Sequence, residues 1–175
     1  SLIKPAIYLT ALAQAQKYHL NSLLNDQAFK LEFDDGQIWQ PQNFDKQDHG
    51  QVLLTNALMN SYNLSTARLG IELGIPEVHA TLKKLGVKGS INPYPSLFLG
   101  SQSLSPMEVS QMYLTFANQG FNMPLRAIRE VTTAQNEVIS RYPFQVEQVF
   151  SPESVFLLQH GLQSVMRSGT GRSAY

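Results

Sequence analysis

The sequence predicts a single, mostly helical unit carrying one short β-hairpin, and three observations lead there. Ser105-Pro106-Met107-Glu108 and Ser151-Pro152 are written as helix entries: a serine to cap, a proline for the first helical position and, in the first case, a glutamate able to reach back. Residues 1 to about 17 place Ile3, Ala6, Ile7, Leu9, Ala11, Leu12, Ala13 and Ala15 around the whole helix axis, the pattern of a helix buried on most sides. Residues 126–141 carry β-rich stretches on either side of Ala134-Gln135-Asn136, a hairpin signal.

Pro5 fits the first helix only if that helix starts close to Ser1, because proline is tolerated in the first turn and disrupts the interior. Residues 25–50 are polar and loop-like, with Asp34-Asp35-Gly36 as a turn and a short strand at residues 37–39. Residues 51–60 read as a short helix. Another helix runs from about Ser65 to Gly74, and Pro76 opens the next, which ends near Gly86. The helix entered at Ser105 ends at Gly120. The last spans residues 153–167 and closes at Gly169. There is no repeat, low-complexity tract or linker.

Composition bounds the function from outside. With 175 residues, 43% of them hydrophobic, the chain is long enough for one domain with a real core. Thirteen basic and thirteen acidic residues leave no net field to draw in nucleic acid or an anionic membrane. Cysteine is absent, which removes disulfides, thiolate nucleophiles and cysteine metal sites together. His19, His49, His79 and His160 are scattered without metal-ligand spacing, so neither metal nor cofactor is expected. No apolar run reaches the length of a membrane span, and no signal-peptide pattern is seen.

Two short patterns can carry chemistry. Ser1-Leu2-Ile3-Lys4 is an S-x-x-K, which on a helix stacks a hydroxyl over an amine. A hydroxyl needs a group to take its proton, and a lysine can do so only when neutral, a state that apolar burial favours. The same pattern arises by chance about once in a chain of this length. Ser61-Tyr62-Asn63 is an S-x-N between two helices, where a second hydroxyl can relay a proton and an amide can hold Lys4 and a substrate carbonyl. Equally, Asn63 can simply cap the helix that follows.

Taken together and in this order, the patterns resemble the class A penicillin-binding proteins of the bifunctional 1b type, over essentially the whole chain. Ser1 to Ala6 with Tyr8-Leu9-Thr10-Ala11-Leu12 is similar to that family's nucleophile helix. Trp39, Pro41-Gln42-Asn43 and Asp45 are similar to one of its loops. Ala57-Leu58, Ser61-Tyr62-Asn63 and Leu69-Gly70 resemble its second motif with the flanking helices. Leu99-Gly100, Leu104, Pro106 and Glu108-Val109 resemble a later helix entry, and Gly169-Thr170-Gly171-Arg172 the approach to its third motif.

The resemblance implies the α+β fold of penicillin-binding proteins and serine β-lactamases, an antiparallel sheet beside a helical region, with this chain covering mostly the helical part and a short hairpin. It implies a partial transpeptidase domain over residues 1–175, truncated at both ends. It implies Ser1 as acylated nucleophile, Lys4 as its activator, and Ser61 and Asn63 as proton relay and substrate holder. The implied reaction is D,D-transpeptidation of peptidoglycan stem peptides ending in D-Ala-D-Ala, with an amine acceptor and β-lactams as inhibitors. A membrane anchor, a glycosyltransferase domain and a place on the periplasmic face of the inner membrane are implied for the parent protein. The family's K-T-G strand is not among the 175 residues, so the stretch alone is expected to be inactive, with apolar faces left uncovered. Ser65 stands where relatives often have proline. Two other readings are an N-terminal-nucleophile hydrolase using the Ser1 amino group, for which strand patterns are too few, and a non-catalytic helical scaffold or degenerate relative.

Overall fold

The computed structural model describes residues 2–143 and 145–174. Its centre is α1 (Lys4–Leu12), in which all nine residues are buried, as an apolar circumference requires. The helix is shorter than the predicted run to residue 17. After Ala13 the chain turns through Gln14 and Lys17, where glutamine and lysine replace the apolar circumference and the segment meets solvent. Pro5 lies in the first turn.

The polar stretch that follows holds three short strands, β1 (Leu23–Asn25), β2 (Leu31–Glu32) and β3 (Ile38–Trp39). The last two pair across the Asp34-Asp35-Gly36 turn. Residues 51–60 depart from the single helix expected of them. Gln51–Leu53 is a strand, β4, antiparallel to β1, and only Leu54–Met59 is helical, as α2. A distant partner strand outweighs the local periodicity there. Next come α3 (Asn63–Leu73) and α4 (Ile75–Lys84), joined at Gly74.

A 3₁₀ segment, Pro95–Leu99, leads to α5 (Pro106–Ala117), which carries the expected capping box. The Ser105 hydroxyl accepts from Glu108 N–H at 3.2 Å, and Glu108 Oε2 accepts from Ser105 N–H at 2.9 Å. Strand β5 (Phe121–Asn122) pairs with β8 (Glu147–Gln148). Between them stands the predicted hairpin, β6 (Glu130–Thr132) with β7 (Val138–Arg141), turning through Asn136 at φ +65°. Finally α6 (Pro152–Ser168) starts at a Ser151 cap and packs against both α1 and α2.

One core runs through the molecule, with Tyr8, Leu9, Leu54, Leu69, Leu82, Phe98, Met112 and Leu158 fully buried. Helix α1 lies within it, touching α2, α3, α4, α6 and the 3₁₀ segment. Two hydroxyl pairs tie α1 to its neighbours inside this apolar surround: Tyr8 with Thr66 and Thr10 with Thr81, each at 2.8 Å. Large apolar side chains also face outward, among them Leu2, Phe44 and Phe156.

Two glycines set how closely elements approach. At Gly70 on α3 an added Cβ would come within 2.4 Å of the Phe98 ring, so the glycine lets the 3₁₀ segment lie against the helix backbone. At Gly169 a Cβ would collide with the Met59 carbonyl. Its absence brings the end of α6 onto the end of α2, where Thr170 N–H donates to Met59 O at 3.2 Å.

Candidate active site

The start of α1 and the link between α2 and α3 meet at Lys4. This residue is almost fully buried, and its Nζ reaches Ser61 O at 2.6 Å, Asn63 Oδ1 at 2.7 Å and Ser61 Oγ at 2.9 Å. Three of the four residues singled out from sequence are therefore within hydrogen-bond reach of one another. The fourth, Ser1, lies outside the described residues.

An ammonium has three N–H donors, and here each has an oxygen to meet. Two of those oxygens, the Ser61 carbonyl and Asn63 Oδ1, only accept. The Ser61 hydroxyl can accept or donate, so a neutral Lys4 amine can receive a hydrogen bond from it after rotation of the hydroxyl hydrogen alone. Both protonation states are thus accommodated by one geometry. Burial pushes the Lys4 ammonium down to about 8, and the Asp26 carboxylate partly opposes the shift.

The geometry of Ser61 is unusual. Its φ is +55°, in the left-handed region that side-chain-bearing residues seldom occupy. Both its carbonyl and its hydroxyl face Lys4 as a result. Strain of this kind persists only where surrounding contacts enforce it. Here Lys4 on α1 donates to its carbonyl and hydroxyl, and its own N–H donates to Leu58 O of α2 at 3.1 Å. Tyr62, which precedes α3, makes no side-chain cap.

Instead the N-terminus of α3 is capped from a distance. Asn43 Oδ1 accepts from Asn63 N–H at 2.6 Å and from Leu64 N–H at 3.2 Å, and Asp26 Oδ1 accepts from Ser65 N–H at 2.8 Å. The reading of Asn63 as the cap is thereby corrected. Asn63 is the first helical residue, its Oδ1 meets Lys4, and its Nδ2 donates to the Gln42 carbonyl at 2.7 Å. A carbonyl can only accept, which fixes the orientation of that amide and leaves its second N–H available.

Above this cluster is a cleft of about 600 Å³, lined by Lys4, Ser61, Asn63, Phe44, Leu99 and Thr170 among others. Asn43 also lines it. The sequence reading quoted Asn43 and Asp45 as part of a loop without giving them a place in the site, and it gave Asp26 and His49 none. No local spacing joins Asp26, Asn43 and Asn63, so only the tertiary fold could reveal the connection. Among the described residues no cluster of His, Cys, Asp and Glu could hold a metal ion, and no helix is long and apolar enough to cross a membrane.

A buried lysine triply hydrogen-bonded to an S-x-N turn, at the start of a helix enclosed by others, defines a class of protein. Residues 1–175 match the penicillin binding protein transpeptidase domain model, and the chain belongs to that family. Within it the likeness is to class A members of the 1B type. The chain is 42% identical over 173 residues to penicillin-binding protein 1B of Vibrio cholerae, covering 98% of this chain and 22% of that protein. It is 40% identical over 175 residues to penicillin-binding protein 1B of Escherichia coli, of which it covers 21%. The chain thus spans about a fifth of the length of these relatives. Among solved structures, penicillin-binding protein 1A from Haemophilus influenzae superposes with a TM-score of 0.88 at 22% identity, over 99% of this chain and 31% of that one. The fold is therefore the α+β transpeptidase fold, of which this chain holds the helical region with four small two-stranded sheets among the described residues.

Proposed function

We propose that this chain carries the nucleophile half of a serine D,D-transpeptidase site that cross-links peptidoglycan stem peptides. The observation that carries the reading is the buried Lys4 amine held at 2.6 to 2.9 Å by Ser61 and Asn63, residues more than fifty positions away in sequence. An amine so buried can act as a base near neutral pH, and three residues before it in sequence stands a serine.

In this reading the Ser1 oxygen attacks the carbonyl carbon of the D-Ala-D-Ala bond while Lys4 takes the hydroxyl proton. The tetrahedral adduct collapses by breaking the C–N bond. Ser61, bridging Lys4 and the cleft, passes the proton to the departing D-Ala nitrogen. Asn63 uses its remaining N–H on the substrate carbonyl side. The acyl group then passes to an amine on a neighbouring strand: a C–N bond forms as the Ser1 ester C–O bond breaks, and the proton lost by the amine returns to the Ser1 oxygen. A β-lactam enters by the same attack, but its ring nitrogen stays tethered, so the ester persists.

The domain is read as a partial transpeptidase unit over residues 1–175, inactive by itself because a K-T-G motif is not among them. The intact protein is read as membrane-anchored, with a glycosyltransferase domain, working on the extracytoplasmic side. Support for the transpeptidase unit comes from family membership and from the 1B-type relatives, of which the chain covers about a fifth.

Two outcomes are expected of the intact protein. Exposure to a labelled penicillin, followed by peptide mass spectrometry, yields a covalent adduct on the peptide containing Ser1, and Ser1→Ala abolishes it. A folded protein that stays unlabelled would favour the scaffold reading. The acylation rate, measured against pH, rises as pH increases through about 8 and levels off above it, because neutral Lys4 is the active form. A rate that falls over that interval would rule Lys4 out as the base.

A further inference from the structure

Beneath the Lys4–Ser61–Asn63 cluster lies a carboxylate that the proposed reaction does not use. Asp26 follows β1 directly and is completely buried. Taking a carboxylate out of water is costly unless its oxygens are met. Here Oδ1 accepts from Ser65 N–H at 2.8 Å, while Oδ2 accepts from Asn43 Nδ2 at 2.6 Å and from His49 Nδ1 at 2.8 Å.

Asn43 is the link forward. Its nitrogen side is anchored by Asp26 and by the Gln47 carbonyl at 2.9 Å. Its oxygen side receives the N–H groups of Asn63 and Leu64. An unbroken path therefore runs from Asp26 through Asn43 to Asn63, and Asn63 Oδ1 holds Lys4. His49 adds a second brace. Its ring stacks on Tyr62, between Ser61 and Asn63 in sequence, with centroids 4.1 Å apart and planes 16° from parallel. Its Nε2 lies 3.1 Å from Asp45 Oδ2.

We propose that Asp26, acting through Asn43 and balanced by His49, is a positioning residue that aims Asn63 at Lys4 and sets the charge environment in which Lys4 works. The inference rests on the transpeptidase reading of the site. A second role is open to Asp26, that of a plain helix cap for α3, and the two differ in whether its charge is felt at Lys4. The bonded path from Asp26 through Asn43 to Asn63 and Lys4 favours the first role, and burial and the Asp26 carboxylate act on Lys4 in opposite directions. The other titratable groups facing Asp26 are Tyr8 on α1, Tyr62 before α3, and His49 with Asp45 from the loop. Burial holds both tyrosines upward and neutral, and the Asp26 hydrogen bond holds His49 upward. Lys4, brought down to about 8, changes charge just above neutrality.

The test is the pH profile of penicillin acylation in the intact protein, comparing wild type with Asp26→Asn. Asparagine keeps an acceptor for Ser65 N–H and removes the charge, while its amide N–H₂ replaces the oxygen that accepts from Asn43. The rising limb is expected to move to lower pH by about half a unit, because Lys4 then releases its proton more readily. The midpoint of that limb does not depend on how much protein folds, so a reduced yield does not obscure it. Asp26→Ser, smaller and also uncharged, is a second variant with the same expected direction. An unchanged midpoint accompanied only by lower thermal stability would reduce Asp26 to a cap and overturn the proposal. Failure of wild type to be acylated at all would instead remove the transpeptidase reading, and this inference with it.

Discussion

Replacing Lys4 by methionine is expected to slow penicillin acylation of the intact protein by about 10²–10⁴-fold, the usual contribution of a positioned base. Methionine matches the apolar stem of lysine within the enclosed α1 and removes only the amine. What remains is a site with Ser61 O, Ser61 Oγ and Asn63 Oδ1 turned toward a group that no longer donates. The Ser61 hydroxyl can rotate to donate to one of these, which limits the structural damage. Arginine is expected to fail as well, since a guanidinium keeps its proton at any relevant pH. The measurement is the second-order rate of labelling by a fluorescent penicillin. A Lys4→Met rate within tenfold of wild type would sink the assignment of Lys4 as the base.

A large loss of stability is expected from the smallest change, Gly70→Ala. By helix propensity alone this substitution should stabilise α3 by about 1 kcal/mol. The packing reverses the sign, because the new methyl group comes within 2.4 Å of the buried Phe98 ring. Overpacking of this kind costs about 3 kcal/mol, enough to lower the unfolding temperature by about 10 °C in a domain of this size. Thermal unfolding of the intact protein, followed by loss of penicillin labelling, checks the direction. Phe98→Ala is destabilising by itself, by about 3–5 kcal/mol through the cavity it leaves. Adding Gly70→Ala to Phe98→Ala should then cost far less than it does alone. If the two effects simply add, the ring is not what excludes the methyl group.

Much of the helical architecture was legible because it is local. The apolar circumference of α1, the Ser105–Glu108 capping box and the turn at Asn136 each depend on residues a few positions apart. Residues 51–60 were misread as all helix because the pairing of β4 with β1 is a long-range fact. The same division runs through the site. Lys4, Ser61 and Asn63 were visible as short patterns whose order resembles a known family. Asp26 and His49 were not, because nothing in the sequence links position 26 to position 65 or position 49 to position 62. Their contribution exists only after the loop of residues 42–50 has closed over the start of α3.

That distant capping also bears on how the protein folds. A helix with its own N-cap can begin to form from nearby residues alone. The first N–H groups of α3 must wait for Asn43 and Asp26, some twenty and forty residues upstream. Closing loops of that length slows the step and makes it cooperative with the rest of the domain. Assembly of the lysine pocket is therefore tied to closure of that loop, and under the proposed function reactivity toward a β-lactam becomes a readout of completed folding.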